Sequence, residues 1–244
     1  MSDSSEVKLT ITPLKPSEIP SEEVIFQAAD SLIESCASWK QGKTYYKVVK
    51  THSRAKGPGD GAPWHCRISV HKPDEATFDQ MWEKLGKDKP TNEMQFIPDI
   101  HKVTKVKEIS SNQSIWSLYY KFPPPVSPRV FTELQITRLS ESPRTGDFIS
   151  FRIVISIPID LSSPEDAELA KMEEKGVKGR YVSIERIVEL EDGSTEWRMA
   201  TSSTPGGSIP SWLAESTMAS KISEDVPHFM KWLHSLPKTE ATEG

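Results

Sequence analysis

The chain has 244 residues, a net charge of −5, and a composition 36% apolar and 27% charged, which suits one large soluble domain able to enclose a cavity as well as a core. No cluster of Lys and Arg is dense enough to follow a phosphate backbone or to anchor the chain on anionic lipid, which argues against nucleic acid as a partner. No apolar run approaches the roughly eighteen residues that cross a bilayer.

The opening residues 1–6 are acidic and polar, without the basic start and apolar centre of a secretion signal, so a cytoplasmic protein is expected. Residues 1–20, with Pro13, Pro16 and Pro20, read as a flexible leader. Ser21 suits a helix N-cap, with Glu22 and Glu23 placed against the positive end of the helix dipole. Ile25, Ala28, Ala29, Leu32, Ile33 and Cys36 then fall on one stripe, predicting a first helix with one buried face.

Tyr45 to Arg54 reads as a strand, and residues 56–63, rich in Gly and Pro, as a flexible connection. From Trp64 to His71 the chain alternates. Trp64, Cys66, Ile68 and Val70 share one face, and His65, Arg67, Ser69 and His71 the other. Phe78, Met81, Trp82 and Leu85 mark a short amphipathic helix, and the stretch on to Ile100 reads as loop.

Six strand segments in an antiparallel meander are predicted next: 103–110, 114–122, 131–140, 148–157, 180–191 and 195–203. Asp192-Gly193 between the last two is a strong hairpin signal. The third and fourth are joined by a loop through Pro143 to Asp147. Residues 162–179 read as a surface loop with a helical turn near 164–172. A Pro-Gly-Gly turn at 205–207 then launches a long helix, 211–235, with Trp212 and Leu213 expected to turn inward at its start and Pro227 to kink or split it.

Chemistry-bearing motifs are few. There is no Gly-x-Ser-x-Gly elbow, His-Glu-x-x-His, Walker loop or Gly-x-Gly-x-x-Gly. His65 and His71 share a strand face but stand about 20 Å apart at strand rise, too far for a metal pair. The two cysteines, Cys36 and Cys66, lie on apolar faces and read as buried reduced thiols. Asn112-Gln113-Ser114 is formally a glycosylation sequon, read here as a hairpin turn. No catalytic residue, metal or cofactor is predicted.

Three stretches resemble START domains, the lipid-transfer family related to the steroidogenic acute regulatory protein and the phosphatidylcholine transfer protein. The first is Ile115 to Phe131, a strand ending in Pro123-Pro124-Pro125 and followed by Ser127-x-Arg129, with Val130 where the family usually has Asp. The second is Gly179–Gly193. The third is Pro205-Gly-Gly-x-Ile-Pro-x-Trp212-Leu213, followed by Asp225-Val-Pro-His-Phe229, wording close to the C-terminus of the phosphatidylcholine transfer protein. The Gly-Gly-x-Ile-Pro-x-Trp signature is closer still to an uncharacterised fungal START-like family. The stretch Asp74 to Ile100 lacks the Tyr-Arg-x-x-Trp-Asp wording of the phosphatidylcholine binder, so that ligand does not carry over.

The resemblance implies an α+β helix-grip fold: a curved antiparallel sheet wrapped around the long C-terminal helix, with an internal hydrophobic tunnel. It implies one START-like domain over residues 21–236, followed by a flexible tail over 237–244. The expected function is non-catalytic binding of one lipid, a sterol or a phospholipid, with transfer or sensing through transient membrane contact by a monomer. The terminal helix or the 162–179 loop would serve as lid. A cyclase- or hydrolase-type enzyme on the same fold, or an interaction module with a closed pocket, is the alternative.

Candidate tunnel residues are Trp116, Leu118 and Tyr120 on one strand, and Ile149, Phe151, Ile153 and Ile155 on another. Trp197 and Met199 follow on a third strand, with Met218, Ile222, Phe229 and Met230 on the helix. Arg186 shares a strand face with Val182, Ile184 and Val188 and so points to the apolar side, either toward a ligand head or into an ion pair with a carboxylate such as Glu133. Arg152 alternates with Phe151 and Ile153 and is expected on the outer face.

Overall fold

The computed structural model describes residues 7–144 and 147–237. Ten strands form one sheet in the order β1-β2-β3-β10-β9-β7-β6-β5-β4, with the short β8 pairing parallel to β6. The strands are β1 (Lys40–Tyr45), β2 (Val49–Arg54), β3 (Trp64–His71), β4 (Ile100–Ser110), β5 (Gln113–Tyr120), β6 (Arg129–Arg144), β7 (Asp147–Pro158), β8 (Val177–Lys178), β9 (Arg180–Glu189) and β10 (Thr195–Thr204). The helices are α1 (Glu22–Ser35), α2 (Phe78–Leu85), α3 (Lys89–Phe96), α4 (Ala167–Ala170) and α5 (Ser211–Ser235).

The two faces of this sheet are covered by different helices. On one face, Ile25, Phe26, Ala29 and Ile33 of α1 pack on Trp64, Cys66, Ile115, Leu134, Ile136, Ile153, Ile155, Val182, Ile184 and Ala200. This is the larger apolar core, and each fully buried aliphatic or aromatic side chain in it contributes about 1.5–3 kcal/mol. On the opposite face, which we call the helix-grip face, α2, α3 and the C-terminal half of α5 gather around Trp197 and Ile187, with Phe78, Met81, Leu85, Phe96, Val226 and Phe229.

Local chemistry explains the element boundaries. Thr77 caps α2 in a reciprocal box, its hydroxyl accepting from the Gln80 amide at 3.2 Å while the Gln80 side chain accepts from the Thr77 amide at 3.0 Å. The single strand expected over 45–54 is the second half of a hairpin over 40–54, because Tyr46 and Lys47 both take positive φ (49° and 66°) and reverse the chain in the three-residue connection between Tyr45 and Val49. The expected loop up to Ile100 contains α3, whose polar sequence hides it; Pro90 in its first turn is the signal that marks its start. Pro227 neither splits nor ends α5, which runs as one helix.

Residues of the leader, of the 56–63 connection and of the 162–179 loop make specific contacts. Leu9 joins the α1-side core, and Leu14 exchanges backbone hydrogen bonds with Pro158 and Asp160, each 2.9 Å. In the 56–63 connection, buried Asp60 accepts from the Gly57 amide at 2.7 Å and pairs with Lys8 at 2.8 Å and Arg54 at 3.1 Å. The 162–179 loop is tied to β6 through β8 and through the Thr132 hydroxyl, which donates to Glu173. Residues 1–6 of the leader, residues 238–244 of the tail, Thr145 and Gly146 of the β6–β7 loop and the side chain of Ile149 lie outside the described residues.

Candidate functional site

Strand alternation sends β3, β5, β6, β9 and β10 side chains to the helix-grip face two residues apart, and these are not uniformly apolar. Arg67 of β3, Glu133 of β6 and Glu185 of β9 are all buried there, joined by Lys89 and Glu93 from α3 and Asp225 from α5. Lys89 Nζ lies 2.9 Å from Glu185 and also bonds Glu93. Arg67 lies 3.8 Å from Glu185 and 4.0 Å from Asp225, with its guanidinium 3.9 Å above the Trp197 ring. The Trp197 indole donates to Glu185 at 3.0 Å. Buried charges need such partners, since each would otherwise lose its hydration without return.

Protonation follows from those contacts. Burial alone would raise Glu185, but Lys89 and Arg67 outweigh it and hold its carboxyl below the usual range. Asp225 is pushed up to about 7 by burial, against the pull of Arg67. Glu133 is likewise pushed up to about 7 by burial. The hydroxyls of Tyr181 and Ser156 pull it the other way as hydrogen-bonding neighbours, though neither contact has regular hydrogen-bond geometry. Burial also raises the phenols of Tyr120 and Tyr181, which stay neutral donors.

Next to Glu133 the helix-grip face opens. A cleft of about 360 Å³ lies between the α2–α3 turn and the β4–β5 hairpin, with Trp82, Gly86, Trp116, Gln135 and Thr137 among its walls. Trp116 is the cross-strand partner of Glu133, and Gln135 follows Glu133 on the same face of β6. Farther along, Tyr120, Phe131 and Tyr181 form a half-buried aromatic row, with ring centroids 5.2 and 5.5 Å apart.

The structure sorts the sequence candidates by face. Trp197, Phe229 and Met230 meet in the cluster beneath α5. Trp116, Leu118 and Tyr120 meet under α3 beside Met94 and Ile97. Met199 lies beside Arg67 in the sheet and is buried, as is Ile222 of α5. Met218 receives a long contact from the Ser203 hydroxyl at 3.9 Å.

Phe151, Ile153, Ile155 and Arg186 stand on the other face. Ile153 and Ile155 belong to the core under α1. Arg186 pairs with Glu34 of α1, so it points away from Glu133. Arg152, expected outside, lies on the helix-grip face against Asp79 of α2 (3.2 Å), with its guanidinium 4.6 Å from the Phe78 ring.

The reason for this inversion is that alternation separates two faces without naming the helix that covers each. The more apolar face belongs to α1, and the mixed face is the one the long helix grips. Arg67, Lys89, Glu93, Glu133, Glu185 and Asp225 were accordingly missed as a site. Their one sequence signal is charge alternating with Ser, Trp and Met inside strands that must be covered on both sides. Trp212 and Leu213, expected inward, are 68% and 43% exposed.

Among the described residues, no group of His, Cys, Asp and Glu is placed to hold a metal ion, and no helix is long and apolar enough to cross a membrane. Cys36 and Cys66 are buried free thiols that face each other, the neighbouring thiol pushing Cys36 up together with burial.

Residues 64–233 match the sequence family described as "Protein of unknown function (DUF3074)". None of the curated proteins matches the chain. Among solved structures, the chain is similar to human STARD10, with a TM-score of 0.65 at 12% identity over 90% of this chain and 82% of that one. It is similar to the lipid transfer and protein localization domain of human StarD13 (0.61, 11%, covering 89% and 100%). It also resembles a STAR-related lipid transfer protein from Xanthomonas axonopodis (0.59, 20%, covering 81% and 99%). The fold is therefore START-like, an antiparallel sheet gripping a C-terminal helix.

Proposed function

The chain belongs to the DUF3074 family, and on its START-like fold we propose that it binds one lipid on the helix-grip face without transforming it, as a carrier or sensor. The observation that carries this reading is the presence, on one face, of apolar and aromatic side chains beside a compact polar cluster. Trp116, Leu118, Tyr120, Trp197, Met199, Met218, Ile222, Phe229 and Met230 supply the first, and Glu133 with its neighbours the second. A lipid site needs both: apolar surface for the tail and a few fixed polar groups for the head. Sterol and phospholipid are the two ligand types in view.

Of the two lid candidates, the 162–179 loop is tied to β6, which favours α5 as the moving element. Its first turns carry exposed Trp212 and Leu213, suited to brief contact with a membrane surface. A monomeric protein in a reducing cytoplasm accords with the two free buried thiols.

A second reading, acid–base catalysis in the same site, draws on Glu133, whose carboxyl titrates near 7 beside the phenols of Tyr120 and Tyr181.

Native mass spectrometry of the purified protein, followed by denaturation and identification of what is released, tests the proposal. A stoichiometric, chemically intact lipid supports the carrier reading. A protein that arrives empty and gains no mass from mixed sterol and phospholipid vesicles overturns it. Turnover of an offered lipid would move the assignment to the enzyme.

A further inference from the structure

On the sheet face away from the helix-grip site, we propose that the β1–β2 hairpin borders a docking groove for an acidic, partly apolar segment of a partner protein. The helix α1 covers only part of its face of the sheet. Along β3, Trp64 and Cys66 are buried beneath it, Ile68 is half-buried at its margin, and Val70 is 47% exposed. A cleft of about 550 Å³ lies over this uncovered stretch. It runs between Ala37, beyond the end of α1, and the β1–β2 turn, with Lys47, Val48, Lys50, Ile68 and Val70 among its walls. Tyr46 and Val48 of the turn are each 52% exposed. Large apolar side chains gathered beside a cleft mark a surface that another molecule covers.

Charge names the occupant. Residues 35–59 hold six Lys and Arg and no Asp or Glu, in a chain of net charge −5. The sequence spaces these cations apart, but pairing of β1 with β2 gathers Lys40, Lys43, Lys47 and Lys50 on one exposed hairpin at the sheet's edge. None of the four forms an ion pair with a described residue. The neighbouring acids have other partners: Glu34 has Arg186, Asp60 has Lys8 and Arg54, and Glu196 in the cleft wall has Arg198 at 2.9 Å. Edge lysines also keep sheets from pairing with one another, but that role needs no apolar tip. Tyr46 and Lys47 hold left-handed backbone that Asn or Gly adopts with less strain, so the turn keeps them for their side chains. A flat bilayer does not reach Ile68 and Val70 on the floor of a concave groove, whereas a polypeptide segment does. The groove is also separate from the surface proposed to meet the membrane. Tyr45 and Val49, which flank the turn, pack in the cluster with Val226 and Phe229 of α5, and Trp212 lies roughly 20 Å from Val226 along that helix. An acidic segment would set carboxylates on Lys47 and Lys50 and apolar side chains on Val48, Ile68 and Val70.

The test selects random peptides displayed on phage against the full chain, then measures synthetic copies of the enriched sequences by fluorescence anisotropy at low and high salt. Peptides rich in Asp and Glu with interspersed apolar residues are expected, and salt should weaken them. The double variant Lys47→Glu, Lys50→Glu should bind them at least about tenfold more weakly, and Val70→Asp should also weaken them. Bound peptide should protect Lys47 and Lys50 of the wild-type chain from acetylation, a readout that stands if a variant does not fold. Vesicles of phosphatidylcholine with and without phosphatidylserine are run alongside. Selection of no acidic peptide overturns the proposal, as do acidic peptides that leave both lysines unprotected or bind the folded double variant as tightly as the wild type. Binding to the phosphatidylserine vesicles that the double variant loses, with no peptide selected, also overturns it and assigns the hairpin to a membrane.

Discussion

The Nε of Arg129 donates to the main-chain carbonyl of Pro205 across 3.2 Å, and a terminal nitrogen of the same guanidinium donates to the carbonyl of Ser127. The start of β6 thereby holds the turn that launches α5. Two of the stretches that carry the family likeness meet at this point. The residue after Arg129 is a fully buried valine rather than an aspartate, and Arg129 is satisfied by backbone oxygens instead. Arg129→Ala is expected to lower stability by about 3 kcal/mol, the scale of two hydrogen bonds from a charged donor. Denaturant unfolding measures this loss. Amide exchange should quicken over residues 205–215 while the β4–β5 hairpin keeps its protection.

The turn itself tolerates no side chain at one position. Gly206 has φ of +64°, and a Cβ there would stand 2.2 Å from the Lys178 carbonyl oxygen. At Gly193, φ is +77° but the nearest atom is a proline carbon at 3.3 Å. Gly193→Ala should therefore cost about 1–2 kcal/mol, the left-handed penalty alone. Gly206→Ala adds a backbone clash and should cost clearly more. Equal melting temperatures for the two variants would refute the packing of this turn on β8.

Glu133 predicts a pH signature. Its folded carboxyl titrates near 7, above its unfolded value, so its favourable contribution is complete below the unfolded range and is lost as pH rises through 7. Lys89, Glu93, Tyr181 and Ser156 are the groups that act on it. Half-buried His65 and buried His71 pull the other way, their pKa values lowered by desolvation, so total stability is a poor readout. The difference between Glu133→Gln and the wild type isolates the carboxyl. The variant should gain relative stability between pH 5 and 8, roughly the span that separates the two titrations; a flat difference would count against burial of the Glu133 carboxyl.

Much of the fold was legible, and the reasons for the failures are physical. Trp64–His71 and Phe78–Leu85 were read to the residue because period 2 and period 3.6 are unambiguous over such stretches. The Asp192-Gly193 hairpin and the long α5 were equally plain. The α3 helix was not, because Lys-Pro-Thr-Asn-Glu carries no apolar stripe; its role is to bring Lys89 and Glu93 to the sheet. The site was legible in part. Trp116, Trp197 and Phe229 were placed on the gripping face, whereas Ile153 and Arg186 were placed there on the assumption that the more apolar face lines the tunnel.

That assignment of faces separates stability from uptake. Ile153→Ala and Ile184→Ala each remove a buried side chain from the core under α1 and should cost about 2–5 kcal/mol, with lipid binding unchanged at temperatures where the variants are folded. Met199→Ala, on the gripping face, should alter ligand affinity. Paired melting and lipid-uptake measurements on the three variants check the division. Lost uptake in folded Ile153→Ala would contradict it.

Trp212 offers a contrast with Trp197. Replacement of the exposed Trp212 by serine should change stability by no more than about 0.5 kcal/mol, while Trp197→Ala should cost about 3–5 kcal/mol. On anionic-free vesicles, Trp212→Ser should slow lipid uptake without altering the affinity measured with dispersed ligand.

The core beneath α1 has a consequence for the protein's working cycle. It is built wholly from the chain's own side chains, on the face away from the site, so folding does not wait for a ligand. On the lipid-binding reading proposed above, the protein can release a lipid and persist as an intact, empty vessel. Loading then raises the melting temperature only by mass action, as RT ln(1 + [L]/Kd), and that rise becomes a direct gauge of occupancy.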